Sequence, residues 1–485
     1  MLLSDGRKSL EPWLKDSAHF YPHQVDGVRI LANKKSFLLC DEMGLGKTLE
    51  AIAIFCVDVQ RGLASTLVVV CPVSLKENWV DEFEKFTTIP TTVLPNNSNA
   101  TARKKVIEEF KAGIGPRVLI LNYEQVKPHL EDLNQRDPSK KYAFDIAVFD
   151  EAHYMKNWKS ARTKASLRLS ARRNFMLTGT PILNNATELW PLLNKIDPVR
   201  WNNYWRFVNR HVVYGGYQDR QIIGVKNEVE LQNILNEEML RRFSADVLGL
   251  KPPVPIVRTV TLTREQRELY EQVKEELILM DLDSGEEKDI NNALTKFLRL
   301  KQICGTTLSF TGEDNSAKFD RAIIDSVQIY EQGSKAIVFS QFRASMTAYQ
   351  ARLEEEGIPT WMVNGSVKPA DRSAVVKAWA TDSRPGVIIC GLQVAGIGLN
   401  MTAARYVQFL DKLYVPALND QAIARSNRIG QDITKAVVVV YYLAKDTIES
   451  RIEAILNTKQ KTFDTVVNMD FSWRRNFLQL LKENA

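Results

Sequence analysis

Residues 36–48 read SFLLCDEMGLGKT, a short apolar run that passes into a glycine-spaced loop and ends on a lysine and a threonine. Phe37, Leu38, Leu39 and Cys40 have the composition of a buried strand. Gly44 and Gly46 free the backbone to turn so that successive N–H groups face one anion, while Lys47 supplies a charge and Thr48 a hydroxyl for Mg²⁺. A helix beginning near Lys47, in KTLEAIAIF, adds the positive end of its dipole. The strict GxxxxGK[ST] pattern has Gly where Asp41 stands, so the segment matches with one departure.

About a hundred residues on, 141–155 reads KYAFDIAVFDEAHYM. Ile146 to Phe149 form another buried strand, which ends in two carboxylates. Asp150 at the strand end suits a Mg²⁺ ligand, direct or through water, and Glu151 suits the base that orients an attacking water. An acidic pair at a strand end is by itself commonly a solvated loop. Its pairing with the Lys47 loop, within one alternating pattern of strands and helices, is what gives it chemical meaning.

A chain of 485 residues has room for two or more domains, and 45% hydrophobic with 25% charged residues is ordinary for a globular protein, which sets disorder aside. The net charge of +6 permits a polyanionic partner without demanding one. Cys40, Cys56, Cys71, Cys304 and Cys390 show no CxxC spacing and read as reduced core thiols of an intracellular protein. Five unclustered histidines give no zinc pattern. The N-terminal MLLSDGRKSLEPW has no cationic flank followed by a long apolar core, and no apolar run of about 18 residues occurs, so neither secretion nor membrane spanning is expected.

In the first half, SFLLC, TLVVVCP, RVLILNY, DIAVFDE and NFMLTGT alternate with helical stretches such as 75–86. The expectation is an α/β fold of parallel sheets flanked by helices, with ligand at the carboxyl ends of the strands. From 187 to about 243 the pattern turns helical and rich in tryptophan (Trp190, Trp201, Trp205). GLKPPVP at 249–255 marks a linker. Beyond it, 263–280 and 290–303 read as amphipathic helices around an acidic loop at 281–287. KAIVFSQ, TWMVNGS, GVIICGL, YVQFLDK and VVVVYYL then form a second alternating region. The expected division is a first lobe at 1–248, with a helical insertion at about 187–243, and a second at 249–485, with an insertion at about 263–330. A helical tail is expected from 447 to 467, and the basic, aromatic FSWRRNFLQLLKE near the end reads as a helix packing on the body, with a separate contact to nucleic acid as the alternative.

In this order the elements resemble the SWI/SNF-type ATPases, a branch of helicase superfamily two, over roughly residues 20 to 465. FYPHQVDGVRIL is similar to that family's adenine-reading segment and places Gln24 on the base. DEMGLGKT, VCPVSLKENWVDEFEKF, LNYE, DEAHYMKN, LTGTP, ELWPLLNKIDP, the LRR…DV pattern at 240–247 and LKQIC follow. KAIVFSQF, VNGSV, AGIGLNMTAA and NDQAIARSNRIGQ complete the set, the RIGQ at 428–431 being close to a signature of the branch. The resemblance implies two RecA-like lobes, ATP and Mg²⁺ as cofactors, and a catalytic set of Lys47, Asp150, Glu151, Arg425 and Arg428. Gln24, Gly44, Gly46, Lys47, Thr48 and Gln421 are then the nucleotide-binding residues, and Thr48 and Asp150 hold the metal. Arg425 and Arg428, three apart, share one face if they lie on a helix and reach together into the cleft between lobes. The family usually has His at the position of Asn427, an acidic residue at Ala424 and WNP at Tyr414, Val415, Pro416. These departures bear on how DNA binding couples to hydrolysis.

The same resemblance places loops that track a DNA backbone at 72–76, 122–123, 364–366 and 395–402, with Pro72, Ser74, Asn122, Gly365, Ser366, Gly398, Asn400 and Thr402 as contacts. Small residues and hydroxyls there suit donors to phosphates without sequence readout. Thr178 and Thr180 of LTGTP relay the γ-phosphate state through hydroxyl hydrogen bonds, or merely close a tight turn. The expected activity is a DNA-dependent ATPase that translocates on double-stranded DNA to remodel protein–DNA complexes; a fork-annealing motor, an RNA helicase and a non-catalytic DNA-binding scaffold are the alternatives. No targeting module is visible, so a bacterial or viral cytoplasmic protein, or a motor subunit brought to its target by a partner, is expected.

Overall fold

The apolar runs at 37–39, 171–177, 144–150 and 66–71 lie in that order as neighbouring parallel strands in a computed structural model that describes residues 13–15, 18–182, 185–215, 221–283, 298–392, 399–413 and 416–450. The described residues form two compact units that part between Phe243 and Ser244.

In the first unit the strands are β1 (Phe37–Leu39), β2 (Thr66–Cys71), β3 (Thr91–Val93), β4 (Arg117–Asn122), β5 (Phe144–Asp150) and β6 (Ala171–Leu177). A hairpin of β7 (Val212–Gly215) and β8 (Gln221–Val225) follows, then β9 (Met239–Leu240). The seven-stranded sheet runs β3-β4-β2-β5-β6-β1-β9. Side chains alternate across it as strand geometry requires: Phe37, Leu39, Val69 and Val148 enter one apolar layer, Leu38, Val68, Val70 and Phe149 the other. The helices α1 (Pro22–Leu31), α2 (Lys47–Gln60) and α3 (Lys76–Phe86) cover it with others. Every residue of α2 from Leu49 to Val59 is buried, which fits its apolar sequence on all sides. The segment at 75–86 opens with a single 3₁₀ turn, Val73–Leu75, before α3 begins.

The second unit carries a six-stranded parallel sheet: β10 (Val254–Val260), β11 (Lys335–Ser340), β12 (Thr360–Val363), β13 (Val387–Gly391), β14 (Ala404–Phe409) and β15 (Val438–Ala444), ordered β10-β15-β14-β11-β13-β12. Two apolar layers again flank it, with Ile337, Phe339 and Cys390 on one side and Val338, Ile389 and Tyr442 on the other.

Three readings change. The stretch 187–243 holds the antiparallel β7–β8 hairpin as well as helices, and its aromatic residues build their own core, with Trp158 stacked on Tyr204 at 4.3 Å and Trp190 edge-on at 5.4 Å to Tyr204. GLKPPVP is a linker only in part: Val254 and Pro255 already belong to β10, an edge strand where a missing N–H is tolerated. β9, Met239 with the first residue of the LRR segment, closes the sheet beside β1. The expected helix at 263–280 is present as Arg264–Asp283, whereas the tail from 451 onward lies outside the described residues. Among those residues no helix is long and apolar enough to cross a membrane.

Candidate functional site

Leu39, Leu177 and Asp150 stand in one row across the adjacent strands β1, β6 and β5. The three chains that leave this row are the glycine loop, LTGTP and the Asp150–Glu151 turn, so parallel register alone delivers all three to one edge of the sheet.

Gly44 and Gly46 have φ of 88° and 82°, a conformation that disfavours a Cβ, and Gly46 caps the N-terminus of α2. Lys47 Nζ donates to the Asp41 carbonyl at 2.8 Å and the Glu42 carbonyl at 3.3 Å. Burial holds its ammonium below the usual lysine range, while Glu151, Asp41 and Asp150 act in the opposite direction. The lysine thus rests on carbonyls of its own loop. Gln24 donates to the Leu45 carbonyl at 3.1 Å, and His23 donates to the same oxygen from Nε2 at 3.0 Å, so α1 is pinned to the crest of the loop.

Asp150 ends β5. Its Oδ2 accepts the Trp79 indole N–H at 2.8 Å and its Oδ1 the Glu151 N–H at 2.9 Å, while Tyr123 donates its hydroxyl to the Asp150 carbonyl at 2.8 Å. Burial, then the neighbouring Glu151, pushes the Asp150 carboxyl up to about 6. A cation beside it restores the charged form. Glu151 sits in the left-handed region at φ 49°, which costs a residue with a Cβ roughly 1–2 kcal/mol. The twist brings its carboxylate 3.2 Å from His153 Nδ1, and the same nitrogen lies 3.2 Å from Thr178 Oγ1, which accepts from the Thr180 N–H at 3.1 Å. His153 Nδ1 therefore lies between the Glu151 carboxylate, at ion-pair distance, and the hydroxyl of Thr178 in LTGTP, at hydrogen-bond distance.

The residues fit ATP with Mg²⁺: a positive-φ glycine cradle at a helix N-terminus, a displaceable lysine, the Thr48 hydroxyl on the first turn, and an acidic strand end. Among the described residues no cluster of three or more His, Cys, Asp and Glu side chains could cage a metal unaided. Mg²⁺ customarily takes one or two carboxylates and completes its shell from phosphates and water. When bound, the metal neutralises charge developing on the phosphates; Thr48 and Asp150 would hold it.

In the second unit, Arg425 and Arg428 are not on a helix. The helix Pro416–Ile423 stops before them, and 424–430 is a run of turns ending at Gly430, φ 99°. The turn has its own use: the Arg425 carbonyl accepts the Met401 N–H at 2.9 Å, and Gln431 Nε2 donates to the Ala404 carbonyl at 3.0 Å. Exposed Asn400 and half-buried Thr402 are thereby tied to the arginine segment. Gln421 and Arg425 are buried, at 4% and 8% exposure. Asn419 and Leu413 exchange two hydrogen bonds of 3.0 Å, which anchor the helix that carries Gln421.

The loop candidates divide. Cys71 and Asn122 are register partners, so 72–76 and 122–123 emerge side by side. Ser74 is half-buried and Pro72 buried. Asn122 spends its carboxamide inside the protein, capping the helix Tyr123–Val126 and donating to Asn96 Oδ1 at 3.0 Å. Lys76 is buried too, bonded to the Leu94 carbonyl, Asn96 Oδ1 and Gln125 Oε1. Val363 and Cys390 align at the ends of β12 and β13, with Gly365 and Ser366 exposed just beyond and Asn364 Oδ1 accepting the Ser366 N–H at 2.9 Å. Gly398 lies outside the described residues.

Sequence reasoning missed Trp79, His153 and Arg242. Lys76, Trp79, Phe83 and Phe86 form the buried face of α3, and spacing alone says only that the face is apolar; a buried indole N–H, however, generally needs an acceptor. Trp79→Phe keeps an aromatic ring, though a smaller one, and frees Asp150 Oδ2. Turnover is expected to drop ~10–100-fold, as for groups that orient a metal ligand, while the void left at this buried position lowers the melting temperature modestly without unfolding the chain. Paired ATPase and thermal-unfolding measurements check this, and parent-like turnover would show that the indole bond is idle.

The SNF2-related domain matches residues 23–307 and the helicase conserved C-terminal domain residues 320–430. An uncharacterized ATP-dependent helicase of Mycoplasma genitalium is 28% identical over 90% of this chain and 41% of its own. The mouse DNA annealing helicase and endonuclease ZRANB3 is 29% identical over 92% of this chain and 40% of its own. The chain thus spans less than half the length of these relatives. The Sulfolobus solfataricus SWI2/SNF2 ATPase core in complex with dsDNA is similar at 24% identity, covering 94% of each chain with a TM-score of 0.43.

Proposed function

The chain belongs to the SNF2-related family, and from that premise we propose that it is an ATP-driven motor that translocates on double-stranded DNA and remodels protein–DNA complexes or DNA structures. The observation that carries the ATPase part is the single row Leu39–Leu177–Asp150, which puts the Lys47 loop, the Asp150–Glu151 pair and LTGTP at one sheet edge. Phosphoryl transfer asks a protein mainly for positioning and charge stabilisation. Lys47 binds phosphate, Thr48 and Asp150 hold Mg²⁺, Glu151 orients water, and the second unit supplies Arg425 and Arg428. The His153–Thr178 link passes the state of Glu151 to LTGTP. Gln24 and Gln421 complete the nucleotide set. ATP-dependent changes in DNA affinity then drive movement.

The DNA part is supported by family membership, by the exposed Gly365 and Ser366 just beyond β12 and by the exposed Asn400 in the segment before β14. Work on branched DNA is a second reading, favoured by the similarity to an annealing helicase. The bacterial relative supports a cytoplasmic setting. ATPase assays with duplex, single-stranded and forked DNA and RNA, side by side, test both readings. Duplex DNA is expected to stimulate more than RNA, and its binding to weaken steeply with salt because the contacts are to phosphates. Preference for forks over linear duplex selects the branched-DNA reading. Equal stimulation by RNA, or salt-independent binding, sinks the duplex motor.

A further inference from the structure

Asp41 occupies the position where a strict phosphate loop has glycine, and its side chain is fully buried. What meets it is Arg242. That guanidinium donates from Nε to both Asp41 oxygens at 3.0 Å, from one terminal nitrogen to Glu50 of α2 at 2.6 and 2.9 Å and again to Asp41, and from the other to the His23 carbonyl of α1. Gly27 lets α1 approach: a Cβ there would lie 2.0 Å from Glu50 Oε2 and 2.9 Å from the guanidinium nitrogens.

The backbone repeats the attachment. The Cys40 N–H donates to the Leu240 carbonyl at 2.7 Å and the Glu42 N–H to the Arg242 carbonyl at 2.9 Å. Arg241 bonds the Cys40 carbonyl at 2.7 Å and the Gly179 carbonyl of LTGTP at 3.1 Å. Segment 240–242 is therefore fastened to residues 40–42, where β1 passes into the glycine loop, and to LTGTP, and Phe243 is the last residue before the second unit begins.

We propose that segment 240–242 is a strap that transmits the occupancy of the phosphate loop to the junction between the two units, with Arg242 as its positioning residue. Lys47 rests on the carbonyls of Asp41 and Glu42. Phosphates that draw Lys47 away release those two carbonyls, and the residues that carry them are both held by Arg242: Asp41 through its carboxylate, which the guanidinium grips, and Glu42 through its N–H, which the Arg242 carbonyl accepts. Movement at the loop must then appear at 242 and, through the covalent chain, at 244. A buried ionic cluster of this kind is seldom the most stabilising filling for its volume, which favours a use in fixing geometry. Coupling of this sort is reciprocal, so a constraint at the junction changes nucleotide affinity by the same factor.

The inference rests on the ATPase reading, and the test separates the two. Hydrogen–deuterium exchange on the full chain, with and without ATPγS and Mg²⁺, is read on peptides covering 240–250, alongside binding of a fluorescent ATP analogue. Nucleotide is expected to change exchange there several-fold in the parent. Arg242→Lys keeps the charge and loses the fork: it should abolish that response and lower kcat on the order of 10-fold or more, with KM for ATP changing far less. If Arg242→Lys does not fold, Arg241→Gln, which forfeits bonds to carbonyls only, should blunt the same response. Nucleotide bound with unchanged exchange at 240–250 in the parent overturns the strap and leaves the ATPase reading standing, as does parent-like kcat and response in Arg242→Lys. A parent chain that binds no nucleotide overturns both.

Discussion

Lys47→Ala is expected to abolish ATP hydrolysis, by at least ~10²–10³-fold, and to weaken nucleotide binding, whereas Glu151→Gln should bind ATP like the parent and fail to turn it over. The contrast follows from where the two groups sit. Lys47 leans on the carbonyls of Asp41 and Glu42, bonds that bound phosphates are proposed to replace. Glu151 is in a left-handed backbone conformation with its carboxylate toward His153. Glutamine preserves that shape and removes the charge that orients water. Steady-state hydrolysis with saturating duplex DNA, together with binding of a fluorescent analogue, separates the two variants. Near-normal hydrolysis by Glu151→Gln would remove Glu151 from the reaction.

Arg428→Ala and Arg425→Ala are each expected to lose at least ~10²-fold of DNA-stimulated turnover, on the scale of arginine fingers in other phosphoryl-transfer enzymes. Nucleotide affinity should fall far less, because Lys47, Thr48 and the glycine turn belong to the other unit. Arg425 also supports the loop at 401 through its backbone carbonyl, and alanine retains that bond, so a loss in Arg425→Ala reports on the guanidinium. Single-turnover rates paired with analogue binding decide the matter. Hydrolysis at the parent's stimulated rate in both variants means that the second unit does not complete the site and that the translocation cycle lacks its basis.

What could be read directly from the residues were the parts whose chemistry is local. Gly44, Gly46, Lys47 and Thr48 lie within five positions, and the strands before them are apolar runs that need no partner to be recognised. Asp150 was legible for the same reason. Long-range register was not. Met239 and Leu240 are two residues with no periodicity of their own, and only the β1 edge makes them a strand. Val254–Val260 is half-exposed and carries Pro255, so its pattern resembles a linker until β15 pairs with it. The spacing of Arg425 and Arg428 fits a helix, yet the turn at Gly430 and the bond from Met401 to the Arg425 carbonyl draw the chain away from one. Asp41 read as a flaw in a motif because its partner lies two hundred residues on.

The five thiols have a practical side. Cys40, Cys56 and Cys71 lie in the first unit and Cys304 and Cys390 in the second, all buried and unpaired, with burial pushing Cys40, Cys56 and Cys304 up to about 12. An alkylating reagent needs thiolate and access, and the folded chain offers neither. Brief pulses of such a reagent along a denaturant gradient should therefore tag three sites when the first unit opens and two when the second does, so that mass spectrometry reads the melting order of the halves from one unmodified chain. A single cysteine added to either surface would, for the same reason, take a dye against a silent background.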